Sequence, residues 1–219
     1  MAIGTSETKT SPKSAGRTAS KETRRHQLIQ ATIESIAKHG ISGTTMKTVT
    51  GLAGLSLGIV NFHFTSKETL FQETLRFLGE EHRDRWRKSI QSDALKPEEK
   101  LRNIVITSFH PDLCNRKKLA VWFAFYGEAA SRAAYRNIMS ALDDERWKIS
   151  ATICEEIIKD GSYDGLDADE ISDTLEGLYD GFCLNILMYP GVFTPKHAKA
   201  RVLDFLSATF PQHFSRIAA

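Results

Sequence analysis

No stretch of this sequence stays apolar for the roughly 18 to 20 residues that a membrane span needs. Its greasiest segment, residues 181–193, is short and interrupted by Asn185 and Pro190. The three cysteines, Cys114, Cys154 and Cys183, are odd in number and far apart, with no CxxC pair. Neither a disulfide framework nor a zinc site is expected from them, and a reducing cytoplasm suits them best. HExxH and GxxxxGKS/T are missing, and an enzyme, a metal and a cofactor are not expected. Sustained period-2 alternation is absent as well, and strands are not needed. The first 20 residues lack the apolar centre of a secretory signal and are rich in Ser, Thr and Lys. They read as a disordered basic arm, and nothing in them directs export.

What is present is a chain of 219 residues with a hydrophobic fraction of 41%, enough to fill a core. The net charge of +2 conceals an asymmetry: residues 1–67 hold nine Lys and Arg against three Asp and Glu, whereas the remainder holds twenty against twenty-four. A local surplus of +6 at the front and a deficit of −4 behind it suits a first third that meets a polyanion, although a solvated basic tail has the same balance.

Apolar residues recur at helical spacing nearly everywhere, so the expected fold is all-α with about nine helices. The first helix is expected over Lys21 to Lys38, ending at His39-Gly40, and a short one follows over Thr45 to Ala53. Gly54 supplies the positive φ that ends it, Leu55 plugs the core, and Ser56 caps a second short helix over Leu57 to Phe62. Ser66 caps a long helix running to about Gln91. Later helices are expected over Pro97 to Ser108, Lys117 to Ala130, Ala133 to Lys159, Asp167 to Tyr189 and Pro195 to Thr209.

Two short helices joined through a tight turn, at about Thr45 to Phe64, have the layout of a helix-turn-helix, whose second helix projects into the major groove. Val49, Ala53, Leu55, Ile59 and Val60 fall where the two helices touch. Leu57, Gly58, Asn61, Phe62 and His63 are left outward. Asn61 offers a paired donor and acceptor to a base edge, Gly58 allows close approach, and Leu57 suits a thymine methyl. Thr44, Thr45, Lys47, Ser56, His63 and Lys67 are candidate phosphate contacts, and Arg17, Lys21, Arg24 and Arg25 can follow the backbone or a minor groove. A helical protein-interaction module with an incidental basic end is the alternative, since any two amphipathic helices joined through a glycine give a similar pattern.

In the rest of the chain, Trp122, Phe125, Tyr126, Trp147, Tyr179 and Asp180 collect aromatic faces and a carboxylate. That combination suits a cationic small-molecule effector, although the same spacing also fits plain core or a site for an apolar compound. The helix over Asp167 to Tyr189 is apolar nearly all round toward its end. Val202, Phe205 and Leu206 give the last helix a matching stripe, as for a homodimer built from the last two helices, and a monomeric core is the other reading.

The segment TTMKTVTGLAGLSLGIVNFHFTSKETLF, residues 44–71, resembles the DNA-binding domain of the tetracycline-repressor (TetR) family. The resemblance rests on Thr45, Ala53-Gly54-Leu55-Ser56, Gly58, His63-Phe64 and Ser66-Lys67-Glu68, and with the preceding RRHQLIQATIESIAKHGISGTT it covers Arg24 to about Leu75. GIVNFHF is similar to the choline-responsive, betaine-synthesis repressor (BetI-like) branch. The Val121–Tyr126 string and Asp180-Gly181 are weaker matches to the same branch. The chain departs from the pattern at Asn61, where Tyr is common, at Thr50, where Ala is usual, and at Cys183 and Asn185, where that branch often has Trp and Arg. The resemblance implies a helix-turn-helix domain over residues 21–67 and an effector-binding and dimerisation domain over 68–219. It also implies a homodimer on a near-palindromic double-stranded DNA operator and repression relieved when an effector moves the heads.

Overall fold

The computed structural model describes residues 21–129 and 132–215, so the basic arm expected at residues 1–20, including Arg17, lies outside the described residues. Among the described residues the chain forms nine α-helices and no strand. They are α1 (Lys21–Gly43), α2 (Met46–Ala53), α3 (Leu57–His63), α4 (Lys67–Ser89), α5 (Pro97–Ser108), α6 (Arg116–Ala129), α7 (Ala133–Gly161), α8 (Ala168–Met188) and α9 (Pro195–Thr209). The expected all-α class and order are met. Proline opens α5 and α9, where its missing N–H costs nothing and its fixed φ suits the first turn. Asp167 caps α8 by accepting from the amides of Asp169 and Glu170 at 2.8 and 3.0 Å. The expected stop in α1 is a break at Gly40, φ 69°, after which the chain turns once more before α2.

Two apolar clusters fill the interior. One joins α1 to α4 with α6 and the start of α7, through Leu28, Val49, Val60, Phe71, Phe125 and Tyr135 among others. The second joins α5, the rest of α7, α8 and α9, through Leu101, Ile157, Leu175, Val202, Leu206 and Phe210 among others. Each such side chain contributes about 1.5–3 kcal/mol when fully buried, so the first cluster fixes α1 to α4 on α6 and α7 rather than leaving them as a tethered head. Val202 and Leu206 are wholly buried in their own chain's core, which corrects the expectation that they form an outward stripe on the last helix.

Arg146 of α7 is the buried charged residue among the described ones, 7% exposed. Its guanidinium grips Glu176 of α8 with both prongs, the Nε–Oε1 bond being 2.8 Å. It also donates to Nδ1 of His82 on α4 at 3.4 Å. Three helices therefore meet on one cation. Removing one partner of a buried pair leaves the other charge uncompensated. Glu176→Ala is expected to lower stability by about 3–5 kcal/mol in urea titration, and a loss below about 1 kcal/mol would show that water replaces the carboxylate there.

Burial and the adjacent Arg146 charge hold the His82 imidazole down at about 3, against its ordinary 6.5. Between those values the unfolded chain binds the proton and the folded chain does not, so this group makes stability fall as the pH drops from 6.5 toward 3. Asp143, pushed up by burial to about 6, works in the opposite sense between 6 and 3.8, so the measurement must be a difference. From urea midpoints at stepped pH, the native chain should lose stability relative to His82→Gln on acidification. Parallel profiles for the two proteins would contradict the assignment.

Candidate DNA interface and effector cavity

The first turn of each short helix is closed by a hydroxyl side chain, and a glycine ends the first of them. Thr45 accepts from the Thr48 amide at 3.1 Å while the Thr48 hydroxyl accepts from the Thr45 amide at 2.9 Å, a reciprocal cap on α2. Gly54 at φ 63° ends α2 in the left-handed region, where a side chain would be strained. Ser56 then caps α3 by accepting from Ile59 N at 3.4 Å, and Ser66 caps α4 by accepting from Thr69 N at 3.0 Å. Val49, Ala53 and Val60 are buried between the helices and α1. From α1, the Gln27 amide donates to Ala53 O at 2.7 Å, satisfying a carbonyl that the end of α2 leaves free.

This packing turns Leu57, Gly58, Asn61 and Phe62 to solvent, with Leu57 52% and Phe62 71% exposed. Such exposure of large apolar groups on a two-turn helix marks a surface shaped for contact. Lys21 stands 5.5 Å over the Phe62 ring, bringing the start of α1 alongside. Thr45, Lys47 and Ser56 are exposed beside them, and His63 is half-buried, edge-on to Phe62 at 5.1 Å. Arg24 and Lys67 are partly engaged inside the head. Arg24 donates to Gln27 at 3.1 Å, while Lys67 lies 5.0 Å over Phe71 and 3.5 Å from Ile41 O.

Thr44 is a correction. It is 0% exposed, its hydroxyl donates to Gly40 O at 2.8 Å and accepts from Ser35 at 3.1 Å, and Ser35 also lies 3.1 Å from the Thr48 hydroxyl. This residue satisfies the broken end of α1, and its side chain is not available to a phosphate.

A cavity of about 100 Å³ opens among α4, the turn before α6, α6, α7 and α8. Trp86, Trp122 and Tyr179 give it aromatic walls, and Asp143 and Asp180 give it carboxyls. A dry cavity of about 150 Å³ takes one benzene, so the occupant here has few heavy atoms. Burial pushes Asp143 up to about 6, against the pull of Arg146, and raises Asp180 despite a 3.1 Å hydrogen bond from the Tyr126 hydroxyl. Of the cations in the wall, Arg146 is shared between Glu176 and Asp143, 3.5 Å from the latter, Lys118 pairs with Glu81 at 2.5 Å, and Arg83 lies 3.5 Å from Asp84. Two half-buried carboxyls therefore share one guanidinium with Glu176. The Tyr179 hydroxyl is buried with no hydrogen-bond partner among the described residues.

Of the effector residues read from sequence, Trp122, Tyr179 and Asp180 line this cavity and Tyr126 adjoins it through Asp180. Phe125 does not: it is 0% exposed and packs edge-on between Phe71 and Tyr135, at 6.2 and 5.1 Å. Trp147 does not either, since its indole turns away to donate to Asp173 at 2.7 Å. Sequence reasoning missed Trp86, His82, Asp143 and Arg146. The available signal was spacing, because Leu75, Leu78, Gly79, His82 and Trp86 recur every three or four residues along α4.

The model of the TetR family of bacterial regulatory proteins matches residues 28–74, and that of the C-terminal part of BetI-type transcriptional repressors matches residues 97–211. The HTH-type transcriptional regulator BetI of Burkholderia thailandensis is 29% identical over 191 residues, 85% of this chain and 93% of the relative. The protein of the same name from Burkholderia mallei is 30% identical over 169 residues, 75% of this chain and 82% of the relative. Among solved structures, a protein described as a transcriptional regulator from Pseudomonas aeruginosa PAO1 superposes with a TM-score of 0.76 at 24% identity, covering 90% of this chain and 96% of that one. Another so described, from Saccharomonospora viridis in complex with choline, superposes with 0.76 at 22% identity, covering 85% and 96%. The helix-turn-helix at the front, the helical body behind it and these two family matches converge: the chain belongs to the TetR family, in its BetI-type branch, and is a DNA-binding transcriptional regulator rather than an enzyme.

Proposed function

We propose that the protein is a cytoplasmic, homodimeric repressor that holds a near-palindromic operator through α3 and lets go when a small quaternary-ammonium compound of the choline class enters the cavity. The observation that carries this reading is the pairing of three aromatic walls with two half-buried carboxyls, Asp143 and Asp180, that share one guanidinium, that of Arg146, with Glu176. A trimethylammonium group gains about 0.5–2 kcal/mol from each ring face it meets, and its charge relieves Asp143 and Asp180. The unpartnered Tyr179 hydroxyl suits the polar end of the same molecule. The choline bound in the structurally similar S. viridis protein supports the same choice.

On the DNA side, Asn61, Leu57 and Gly58 read bases, with Phe62 beside them. Thr45, Lys47, Ser56, His63, Lys67 and Arg24 serve the backbone, within a region carrying a surplus of six positive charges. For the dimer, Gly177, Gly181, Leu184 and Met188 repeat at intervals of four, three and four along α8, and all four are exposed. Tyr189 and Val192 extend the patch and are exposed too. A helix face with glycines and long apolar side chains, left uncovered by its own chain, suits the same face of a second copy.

Two measurements test these assignments. Affinity for the operator duplex should fall steeply with salt, and Asn61→Ala should lose about 1–3 kcal/mol of discrimination between operator and random DNA. Salt-insensitive binding sinks the DNA half. Choline at a hundredfold excess over its dissociation constant adds about 2.7 kcal/mol, equivalent to a rise in Tm of about 5–10 °C for a chain of this size. Asp180→Asn should abolish most of that rise while keeping DNA binding. Stabilisation by an apolar compound and not by choline would replace the cationic reading with a hydrophobic one.

A further inference from the structure

The Sγ atoms of Cys114 and Cys183 lie 3.7 Å apart, and both residues form part of the cavity wall. Cys114 sits in the turn ahead of α6, held by its amide donating to His110 O at 2.8 Å. Cys183 lies on α8, 69 residues further along the chain. The third cysteine, Cys154, is fully buried on α7 and is not part of the wall. Two thiols already in contact need only a small rotation to reach bonding distance, about 2.0 Å. They also bridge two different sides of the cavity.

We propose that Cys114 and Cys183 are a redox-closable dithiol, oxidised by a hydroperoxide to a disulfide that shuts the cavity and reopened by a thiol reductant. The half-buried Cys183 meets the oxidant first. Its sulfur attacks one oxygen of hydrogen peroxide, the O–O bond breaks, and a sulfenic acid and a water form. The Cys114 sulfur then attacks that sulfur and expels the second oxygen as water. Two thiols and one peroxide give one disulfide and two waters, with two electrons passing from sulfur to oxygen. The Cys114 hydrogen bond and burial hold the Cys183 thiol well above its ordinary range. Cys183 therefore rests as the thiol and reacts slowly, on sustained rather than momentary exposure.

The disulfide would tie the turn before α6 to α8. Because α6 carries Trp122 and α8 carries Tyr179 and Asp180, the bond would fix the spacing of the groups assigned to the effector. This gating rests on the effector reading above, whereas the cross-link itself does not.

The test is peroxide treatment of the full chain, alkylation under denaturing conditions, and peptide mapping by mass spectrometry. Free thiols should fall from three to one, with the mass of two hydrogens lost, a peptide linking Cys114 to Cys183, Cys154 still alkylated, and full reversal by dithiothreitol. Cys114→Ser and Cys183→Ser should each abolish the link. Three alkylated thiols, a link through Cys154 or between chains, or a sulfinic acid on Cys183 without linkage would each overturn the site. Choline should raise the Tm of the reduced protein and leave that of the oxidised protein unchanged. An equal rise in both forms overturns the gating even if the link forms. No rise in the reduced form is a failure of the effector reading, and the cross-link then stands or falls on the map alone.

Discussion

The rings of Phe71, Phe125 and Tyr135, stacked edge to face at 6.2 and 5.1 Å, join three helices at one point: α4 just after the DNA head, the middle of α6, and the first turn of α7. Geometry of this kind adds about 0.5–1.5 kcal/mol per pair to the area buried, and it comes with a polar lock. The Tyr135 hydroxyl and Arg132 both donate to Glu68 in the first turn of α4, at 3.1 and 3.0 Å. Further along, the same three helices wall the cavity. Helix α4 rises about 1.5 Å per residue, so Trp86 at the cavity lies about 28 Å from Lys67 at the head. A close-packed interior does not absorb displacement gradually. Change the spacing of α4, α6 and α7 at one end, and the joint passes it to the other. The surface ion pairs near this joint, such as Lys117 with Glu34, add little to it, because exposed pairs are worth well under about 1 kcal/mol.

Charge in the body is arranged so that three acids, Glu176, Asp143 and Asp180, face one guanidinium, that of Arg146. Arg146 is engaged by Glu176 and Lys118 by Glu81, which removes them as repellents of a positive ligand even though they sit in the wall. His82 stays neutral for the same reason that it is depressed: a buried ring facing a guanidinium cannot take up a second positive charge. Its uncharged state keeps the Arg146–Glu176 pair balanced. On the effector reading, the raised Asp143 and Asp180 are the groups that a small cation would relieve, whereas an anion would meet carboxyls at close range.

The head was legible because its signals are local. The serines before α3 and α4, the glycine between α2 and α3 and a run of branched residues at contact spacing act over four residues and appear where the sequence placed them. Thr45, read as the first residue of a helix, is instead its cap. Thr44 was misread since its neighbour Thr45 is a true cap, and only the fold shows that Ser35, nine residues earlier, turns Thr44 inward. In the body the signals are long-range. Helical spacing places Trp122 and Phe125, three residues apart, on one face of α6 and does not show which of them meets a cavity. Trp147 and Tyr179 look equivalent until Asp173 captures the indole. On α4, His82 and Trp86 continue the spacing of Leu75 and Leu78 but stand within the charged string EEHRDRW. It is the packing of α5 and α7 on α4 that buries Trp86, and the packing of α6 on α8 brings together Cys114 and Cys183, which look unrelated in sequence.

The exposed end of α8 bears on how a signal from the cavity would reach two DNA half-sites. Val202 and Leu206 are committed to their own core, so on the dimer reading the contact is carried chiefly by α8, which also supplies Tyr179, Asp180 and Cys183 to the cavity. Gly181 and Leu184 of the outward face thus alternate with cavity residues on the inward one, within a single turn and a half. An occupant that shifts α8 acts on the partner's α8 directly, through side chains one position away. An occupant that shifts α4 and α6 acts on the heads of its own chain through the Phe71–Phe125–Tyr135 joint. The two routes diverge from one small cavity, and their common origin allows a ligand of few atoms to alter the separation of heads that must span roughly 34 Å of duplex.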